Sequence, residues 1–327
     1  MDFNLSFSTA DIFRSQPELE PDNIYDLLII GAGPAGLNAA LYAKRKGLDV
    51  AIITKRKGGQ ILDTSTVDNY LGFANISGEG LVDEFLNHVE KLEIPILEDT
   101  EVIDTFSDNL IHQIVLSTGE TYKTKTLLIA TGSKPRQLDV PGEIKYAGKG
   151  VAYCAICDAP LFKNRNVFIA GGGNSAVEAA LDIAKFANSV TLIHRSQLRA
   201  DKILVDQLYS HSKISVYLKT KILEITGDDV MTGLSLENTE NLKHFRLKGD
   251  GIFIEIGHTP NIGPFKDILK LNERGEIITN ERKETNIPGI FAAGDITNSM
   301  YKQIIIAASD GAIAALAINE YINQNKL

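Results

Sequence analysis

Two stretches of the chain repeat one pattern of apolar and polar positions. The first runs Asp26-Leu27-Leu28-Ile29-Ile30 as a short apolar strand, then Gly31-Ala32-Gly33-Pro34-Ala35-Gly36 as a glycine turn. An Ala-rich helix through Lys46 follows, and then a second strand over Asp49–Ile53. The other stretch has a strand over Asn166–Ala170, the turn Gly171-Gly172-Gly173-Asn174-Ser175-Ala176, a helix over Glu178–Ala187 and a strand over Ser189–Ile193. Each predicts strand, tight turn, amphipathic helix and parallel strand, which is a βαβ unit. Thr124–Gly132 reads as a strand ending in a turn where the chain leaves the first domain. Gly251–Gly257 reads as the strand that closes an inserted second domain. Pro288–Asp295 reads as a last core strand delivering an acid at its carboxyl end, and a helix from Gln303 to Asn323 finishes the chain.

The pattern therefore predicts an α/β fold of two Rossmann-like dinucleotide-binding domains, the second inserted into the first. The expected boundaries are an arm at 1–25, the first domain at 26–133 and 261–327, and the inserted domain at 134–260. A single glycine turn of this spacing is a weak signal, since glycines also punctuate ordinary turns. Two of them, each directly after a strand and opening a helix, are a strong one. The glycines let a pyrophosphate approach the backbone at a helix N-terminus, where orphan N–H groups and the helix dipole bind it. Two sites imply two dinucleotides, and a flavin with a nicotinamide is the common pairing.

Length and composition fit that frame. The 327 residues suit two domains, and 44% hydrophobic with 23% charged residues is ordinary for a chain that buries a core. A net charge of −9 and a pI near 5.3 argue against a nucleic-acid partner, which needs a basic surface. Met1 to Asp26 lacks a basic start and an apolar run, so it reads as a polar arm rather than a signal peptide. The apolar stretches are expected to fall short of the ~20 residues of a membrane helix. A cytoplasmic protein without a membrane partner is expected.

The two cysteines are Cys154 and Cys157. A secreted disulfide scaffold would carry more, at wider spacing. A structural zinc site would need two further ligands, and none of the six histidines has the spacing of a zinc knuckle. No metal is expected, and redox chemistry is the reading that remains for an isolated Cys-x-x-Cys.

Taken together with Gly58-Gly59-Gln60, Asn69–Phe73, Ala130-Thr131-Gly132, Cys154–Asp158, Gly171–Glu178, His194-Arg195, Arg199-Ala200, Gly257–Asn261, Ala293-Gly294-Asp295 and Tyr301-Lys302-Gln303, the chain resembles the low-molecular-weight thioredoxin reductases. Gly58–Thr64 and Tyr301–Ala307 are also similar to the flavoprotein subunit of alkyl hydroperoxide reductase. That protein adds N-terminal thioredoxin-like modules, which Met1–Asp26 is too short to form. The expectation is that electrons pass to a separate protein, thioredoxin or another small dithiol protein, from a homodimer.

The resemblance implies an FAD site on Gly31, Gly33, Pro34, Ala35 and Gly36, with Thr54 at the end of the second strand, where the family has no acid. It adds Gly59, Gln60, Asn69, Thr131 and Gly132, then Gly294 and Asp295 at the ribityl and phosphate region, and Lys302, Gln303 and Ile304 beside the ring. Plain loop hydrogen bonding is the other reading of Gln60 and Asn69. The nicotinamide nucleotide is expected on Gly171, Gly173, Asn174, Ser175 and Ala176, with His194, Arg195 and Arg199 after the next strand. An acid there would bind a ribose 2′-hydroxyl, whereas arginines accommodate a 2′-phosphate. NADPH is favoured, but Ser196 stands where NADPH-using relatives carry another arginine, so NADH stays open. Solvated surface roles for Arg195 and Arg199 are the alternative.

The resemblance also implies that hydride reaches the flavin and that the reduced flavin opens a Cys154–Cys157 disulfide. Cys-x-x-Cys at a helix start brings the sulfurs together and favours a thiolate. By resemblance Cys157 faces the flavin, Cys154 attacks the partner disulfide, and Cys157 resolves the mixed disulfide. Asp158 is implied as the general acid, and capping the adjacent helix is its other role. Hinges near Gly132–Lys134 and Gly257–Asn261 would let the inserted domain turn. The competing readings are an NADH-dependent reductase of a peroxiredoxin-linked or glutaredoxin-like partner, a dithiol oxidase, a ferredoxin–NADP reductase, which lacks the cysteine pair, and a non-catalytic redox sensor.

Overall fold

The structure, a computed structural model, describes residues 17–64, 66–108 and 110–327. Most of the expected N-terminal arm, residues 1–16, lies outside the described residues. In chain order the elements begin β1 (Ile24–Ile30), α1 (Pro34–Arg45), β2 (Val50–Ile53), α2 (Gly78–Glu90), β3 (Ile96–Leu97), β4 (Val102–Asp108), β5 (Ile111–Leu116), β6 (Thr121–Ile129) and β7 (Ser133–Pro135). They continue with β8 (Val151–Ala152), α3 (Ala155–Asp158), β9 (Asn166–Ala170), α4 (Asn174–Ile183), β10 (Ser189–Ile193), α5 (Lys202–Ser210) and β11 (Ile214–Tyr217). Next come β12 (Thr220–Gly227), β13 (Met231–Asn238), β14 (His244–Lys248) and β15 (Gly251–Ile254), and then β16 (His258–Pro260), β17 (Ile290–Ala292) and α6 (Ile304–Asn325).

The chain forms two compact units. The first gathers the described residues through Asp63, Ile76–Ser133 and Pro260–Leu327; the second gathers Thr64–Asn75 and Lys134–Thr259. The boundaries expected from the sequence put Thr64–Asn75 in the first domain instead. β7 and β16, the strands at which the chain passes between units, pair with each other.

In the first unit a sheet runs β3-β2-β1-β6, and β6 forks. Its first half, Thr121–Thr124, pairs antiparallel with β5, and its last residues, Leu127–Ile129, pair parallel with β17. Strands covered on both faces need apolar residues at successive positions, which is why Leu27–Ile30 and Val50–Ile53 are continuous apolar runs. Leu27 and Ile29 pack against Ala39, Ala40 and Ala43 of α1 and Ala314 and Ile318 of α6, while Leu28 and Ile30 face Phe265 and Ile290. Small residues let α1 and α6 approach closely. A Cβ on Gly311 of α6 would fall on the Ala35 carbonyl, so a glycine that costs ~1 kcal/mol in a helix is required there.

At 22 residues α6 is long and apolar enough to cross a membrane by length and composition alone. The expectation that no stretch reaches that length is thereby corrected. Its alanines and isoleucines pack on α1 and β1, and Asp310 within it is buried in an ion pair with Lys283 at 2.6 Å. Those features mark a core helix.

In the second unit five parallel strands run β11-β10-β9-β15-β8, and a separate antiparallel sheet runs β12-β13-β14. Val167 and Ile169 face Val177, Ala180 and Ile183 of α4, while Phe168 and Ala170 face Leu234 and Leu236 of β13. α4 begins four residues before the helix expected from the sequence, because Gly173 serves as its N-cap immediately after the turn.

Candidate active site

The first glycine turn follows β1. Gly31 has φ of 110°, and a Cβ there would strike the Ala130 carbonyl at the end of β6. A Cβ on Gly36 would overlap the Gly31 carbonyl, which closes the turn tightly onto the helix. Gly33, by contrast, is the N-cap of the 12-residue α1, and its Cβ position opens on space with nothing within 4 Å. The unbonded amides of the first helical turn therefore front open space that a ligand group can enter, with Pro34 preset at the first helical position. Thr54 is buried and turned inward: its Oγ1 accepts from the Ala32 amide at 3.2 Å and donates to the Arg56 carbonyl. It shapes the turn from behind.

A Cβ on Gly59 would come within 3.4 Å of the Gly33 Cα, and Gln60 lies near Gly132. Thr131 and Asn261 exchange two bonds, Thr131 Oγ1 to the Asn261 carbonyl at 2.8 Å and Asn261 Nδ2 to the Thr131 carbonyl at 2.9 Å. Asn69 is on Thr64–Asn75 and so is not gathered with these residues but with the second unit. Gly294 follows β17, with its Cβ position against Ala35, and its amide donates to buried Asp310 at 3.3 Å. Asp295, next in line, has its pKa raised to about 6: burial is the main cause, Asp310 and Glu276 add to it, and Lys302 opposes it. Lys302 itself is ion-paired with Glu276 at 3.0 Å and donates to the Thr297 carbonyl at 2.6 Å. Gln303 is the N-cap of α6 and Ile304 its first residue.

The second turn follows β9 by the same plan. A Cβ on Gly171 would strike the Glu255 carbonyl at the end of β15 and lie 2.6 Å from the Ala176 methyl, while Gly173 is open with nothing within 4 Å. Asn174 closes the turn against Asp201, accepting from its amide and donating to its carboxylate, both at 2.9 Å; Ser175 follows, exposed, in the first turn of α4. His194 is buried behind Gly172, and its pKa is lowered by burial and by Arg199 and Arg195. Ser196 Oγ is 3.1 Å from His194 Nε2. The Arg199 amide donates to the Gly172 carbonyl at 2.7 Å, so its side chain emerges beside the turn. The Arg195 and Arg199 side chains are exposed and form no ion pair among the described residues.

At the same carboxyl edge of this sheet, two strands further on, stands the cysteine pair. Cys154 follows β8 as the N-cap of α3 and is bonded to Cys157, with Cα atoms 5.3 Å apart. Cys154 Sγ accepts from the Cys157 amide at 3.3 Å. Asp158 is part-buried, and burial pushes its carboxyl above the ordinary aspartate value. Two carboxylates absent from the residues expected at the site hold this region. Glu143 is buried and accepts from the Leu138 and Asp139 amides and from the Tyr153 hydroxyl at 2.9 Å, tying down the residue before Cys154. Glu255 accepts from the Ala155 amide at 3.3 Å, and burial raises its pKa to about 7. A signal for Glu255 existed: it is the one charged residue in the otherwise apolar run Gly251–Gly257.

Residues 25–311 match the family model described as pyridine nucleotide-disulphide oxidoreductase. The chain belongs to that family. It is 41% identical over 319 residues to the F subunit of alkyl hydroperoxide reductase from Staphylococcus aureus, covering 97% of this chain and 62% of that protein. The chain thus spans about three fifths of the length of the curated relatives it matches. Among solved structures it is similar to the thioredoxin reductase from Streptococcus pyogenes MGAS5005, with TM-score 0.86, 38% identity, and coverage of 92% of this chain and 99% of that one. The thioredoxin reductase from Giardia duodenalis gives TM-score 0.86 at 31% identity, covering 92% of this chain and all of that one.

The family's cofactors are FAD and a nicotinamide nucleotide. Two turns, each with one glycine open to a ligand in front of unbonded helix amides, fit two dinucleotides.

Proposed function

We propose that the chain is a reductase for a small protein disulfide, driven by NADPH, with FAD on the first turn and the nucleotide on the second. The observation that carries this is the Cys154–Cys157 disulfide at the carboxyl edge of the same sheet that bears the second glycine turn. When bound, FAD supplies two-electron chemistry that links the nucleotide to the disulfide. The amides of Gly33 and Ala35 would hold its pyrophosphate, and Asp295 would accept from hydroxyls of its chain.

On the second turn, Gly173, Asn174 and Ser175 offer amides to the nucleotide pyrophosphate, and Arg195 and Arg199 take the 2′-phosphate. Once the pair is reduced, the Cys154 thiolate attacks the partner disulfide and forms a mixed disulfide, releasing one partner thiolate. Asp158, kept protonated to a higher pH by burial, gives that thiolate its proton. Cys157 then attacks the Cys154 sulfur, which releases the second partner thiol and restores the Cys154–Cys157 bond. The partner is thioredoxin or another small dithiol protein, and the enzyme is a cytoplasmic homodimer.

A second reading, an NADH-dependent reductase of a peroxiredoxin-linked carrier, is favoured by the similarity to the F subunit of alkyl hydroperoxide reductase and by the uncharged Ser196 beside the arginines. Anaerobic mixing of the oxidised protein with NADPH or NADH, followed by thioredoxin or the thioredoxin-like carrier, separates the two. The leading reading expects yellow protein, faster bleaching by NADPH, and thiol formation on thioredoxin. Preference for NADH with reduction of the carrier alone supports the second reading. A folded protein that neither retains nor rebinds flavin overturns both.

A further inference from the structure

Glu255 follows β15, the strand between β8 and β9, and so emerges between the cysteine loop and the second glycine turn. Its carbonyl backs Gly171. Its carboxyl reaches the other way: Oε1 accepts from the amide of Ala155, which directly follows Cys154 and opens α3. The carboxyl is thus one peptide unit from the sulfur that must attack the partner. Glu255 forms no ion pair among the described residues, and the only contribution opposing its burial is the Ala155 amide.

We infer that Glu255 is a positioning residue of the redox pair: its carboxyl anchors the start of α3, and its charge sets the pH at which reduced Cys154 becomes a thiolate. The inference rests on the proposed redox role of the pair. Reduction adds two electrons and two protons to the Cys154–Cys157 bond and gives two thiols; Cys154 then releases its proton to solvent. A carboxylate beside Cys154 opposes that second negative charge, so an ionised Glu255 raises the thiol pKa and a neutral one lowers it.

The titratable groups on the elements packed around Glu255 are few. α3 carries Asp158, whose carboxyl is raised by burial, and the two cysteines. The β8 side offers Tyr153, whose hydroxyl is bonded to Glu143. β9 has no charged residue over Val167–Ala170, and α4 carries only Glu178 and Asp182, both exposed. His258 follows on the chain itself. Burial places the ionisation of Glu255 near pH 7, where a small change in proton concentration changes its charge.

The test uses the full protein reduced with a phosphine, with iodoacetamide labelling of Cys154 followed by mass spectrometry from pH 5 to 10. In Glu255→Gln, Cys154 should alkylate about three- to tenfold faster at pH 7 than in the wild type, with the pH profile moved to lower pH. Glu255→Asp, which keeps the charge, should return the profile towards the wild type. A role limited to holding α3 would move labelling equally at every pH. If Glu255→Gln misfolds, by circular dichroism and flavin content, the wild type still decides: its labelling profile should carry a second inflection near pH 7. A single-step wild-type profile, or a Glu255→Gln profile superimposable on the wild type, overturns the inference. The assay needs neither nucleotide nor partner, so failure of turnover with NADPH would count against the proposed function and leave this result readable.

Discussion

At Gly36 a Cβ would overlap the Gly31 carbonyl, whereas Ala176, the corresponding residue of the second unit, carries its methyl into the space beside Gly171. Both turns press their first glycine against the carbonyl of a neighbouring strand end, Ala130 in one and Glu255 in the other, and both leave the glycine two residues on, Gly33 and Gly173, open. The helix therefore meets the sheet more closely in the first unit than in the second. The ends of the second strands differ as well. Thr54 turns its hydroxyl inward to the Ala32 amide, while His194 fills the space behind Gly172 and is followed by two exposed arginines. One backbone device recurs with two different surroundings: Lys55, Arg56 and Lys57 after the first strand pair are ion-paired with Glu101, Asp63 and Glu98, whereas Arg195 and Arg199 after the second form no ion pair among the described residues. Only the second unit also carries reactive sulfur.

That asymmetry breaks most sharply at the cysteines. Replacing Cys154 or Cys157 by Ser should reduce disulfide turnover to background while nicotinamide-driven bleaching of the flavin persists. The Cys154→Ser variant should also show a long-wavelength charge-transfer band from the Cys157 thiolate. A band seen only in Cys157→Ser would reverse the two roles.

The glycines come next. Gly31→Val adds a side chain to a positive-φ position already closed by the Ala130 carbonyl, a combination of strain and overpacking worth several kcal/mol. The purified protein should lose FAD. Gly171→Val should keep FAD and lose nucleotide-driven bleaching, because its clash lies with Glu255 and Ala176. Gly36→Ala should release flavin, whereas Ala176→Gly should change nucleotide KM by no more than about threefold. Flavin absorbance and nucleotide titration read all four. Equal flavin loss from Gly31→Val and Gly171→Val would contradict the division of labour.

The βαβ units are legible in the chain because two local signals coincide there, an apolar run buried on both faces and a glycine at the point where a helix must start. The strands β12, β13 and β14 are not, since their alternation is loose and a register shift follows Ile222. The partners of the buried carboxylates are hidden for another reason. Glu255 and the Ala155 amide are 100 residues apart, and Asp310 serves Gly294 from a different element. A lone charge in an apolar run, as at Glu255, flags the residue, but only the tertiary pairing shows which amide it holds. Thr54 and Lys302 show the converse, since both stand in expected places with their polar atoms already engaged by the protein.

A smaller effect sharpens the difference in charge. Each charge-assisted contact to a 2′-phosphate is worth ~1.5–3 kcal/mol, so Arg195→Ala or Arg199→Ala should raise the KM for NADPH roughly tenfold or more with little change for NADH. Ser196→Arg should push preference further towards NADPH. A wild type that prefers NADH, with Arg195→Ala lowering kcat/KM equally for both nucleotides, would mean that no 2′-phosphate site exists.

The smallest predicted effect separates the units by pH. Burial raises a carboxyl to near neutrality in each, Asp295 to about 6 in the first and Glu255 to about 7 in the second. A raised acid binds more protons folded than unfolded between its two pKa values, so stability falls as pH rises through that window and is level beyond it. For Glu255 the window runs from its ordinary value of 4.5 to about 7; for Asp295 it runs from 3.8 to about 6. Glu255→Gln keeps the acceptor for Ala155 and removes the charge. It should therefore gain stability over the wild type as pH rises from 5 to 7.5, reaching ~1–2 kcal/mol once partial exposure is allowed for. Asp295→Asn should show its gain lower, essentially complete by pH 6.5. Thermal melts of the three proteins from pH 4 to 8 measure this as differences in Tm. The two windows coinciding, or a Glu255→Gln advantage that shrinks with rising pH, would show that burial does not act on these two carboxyls separately.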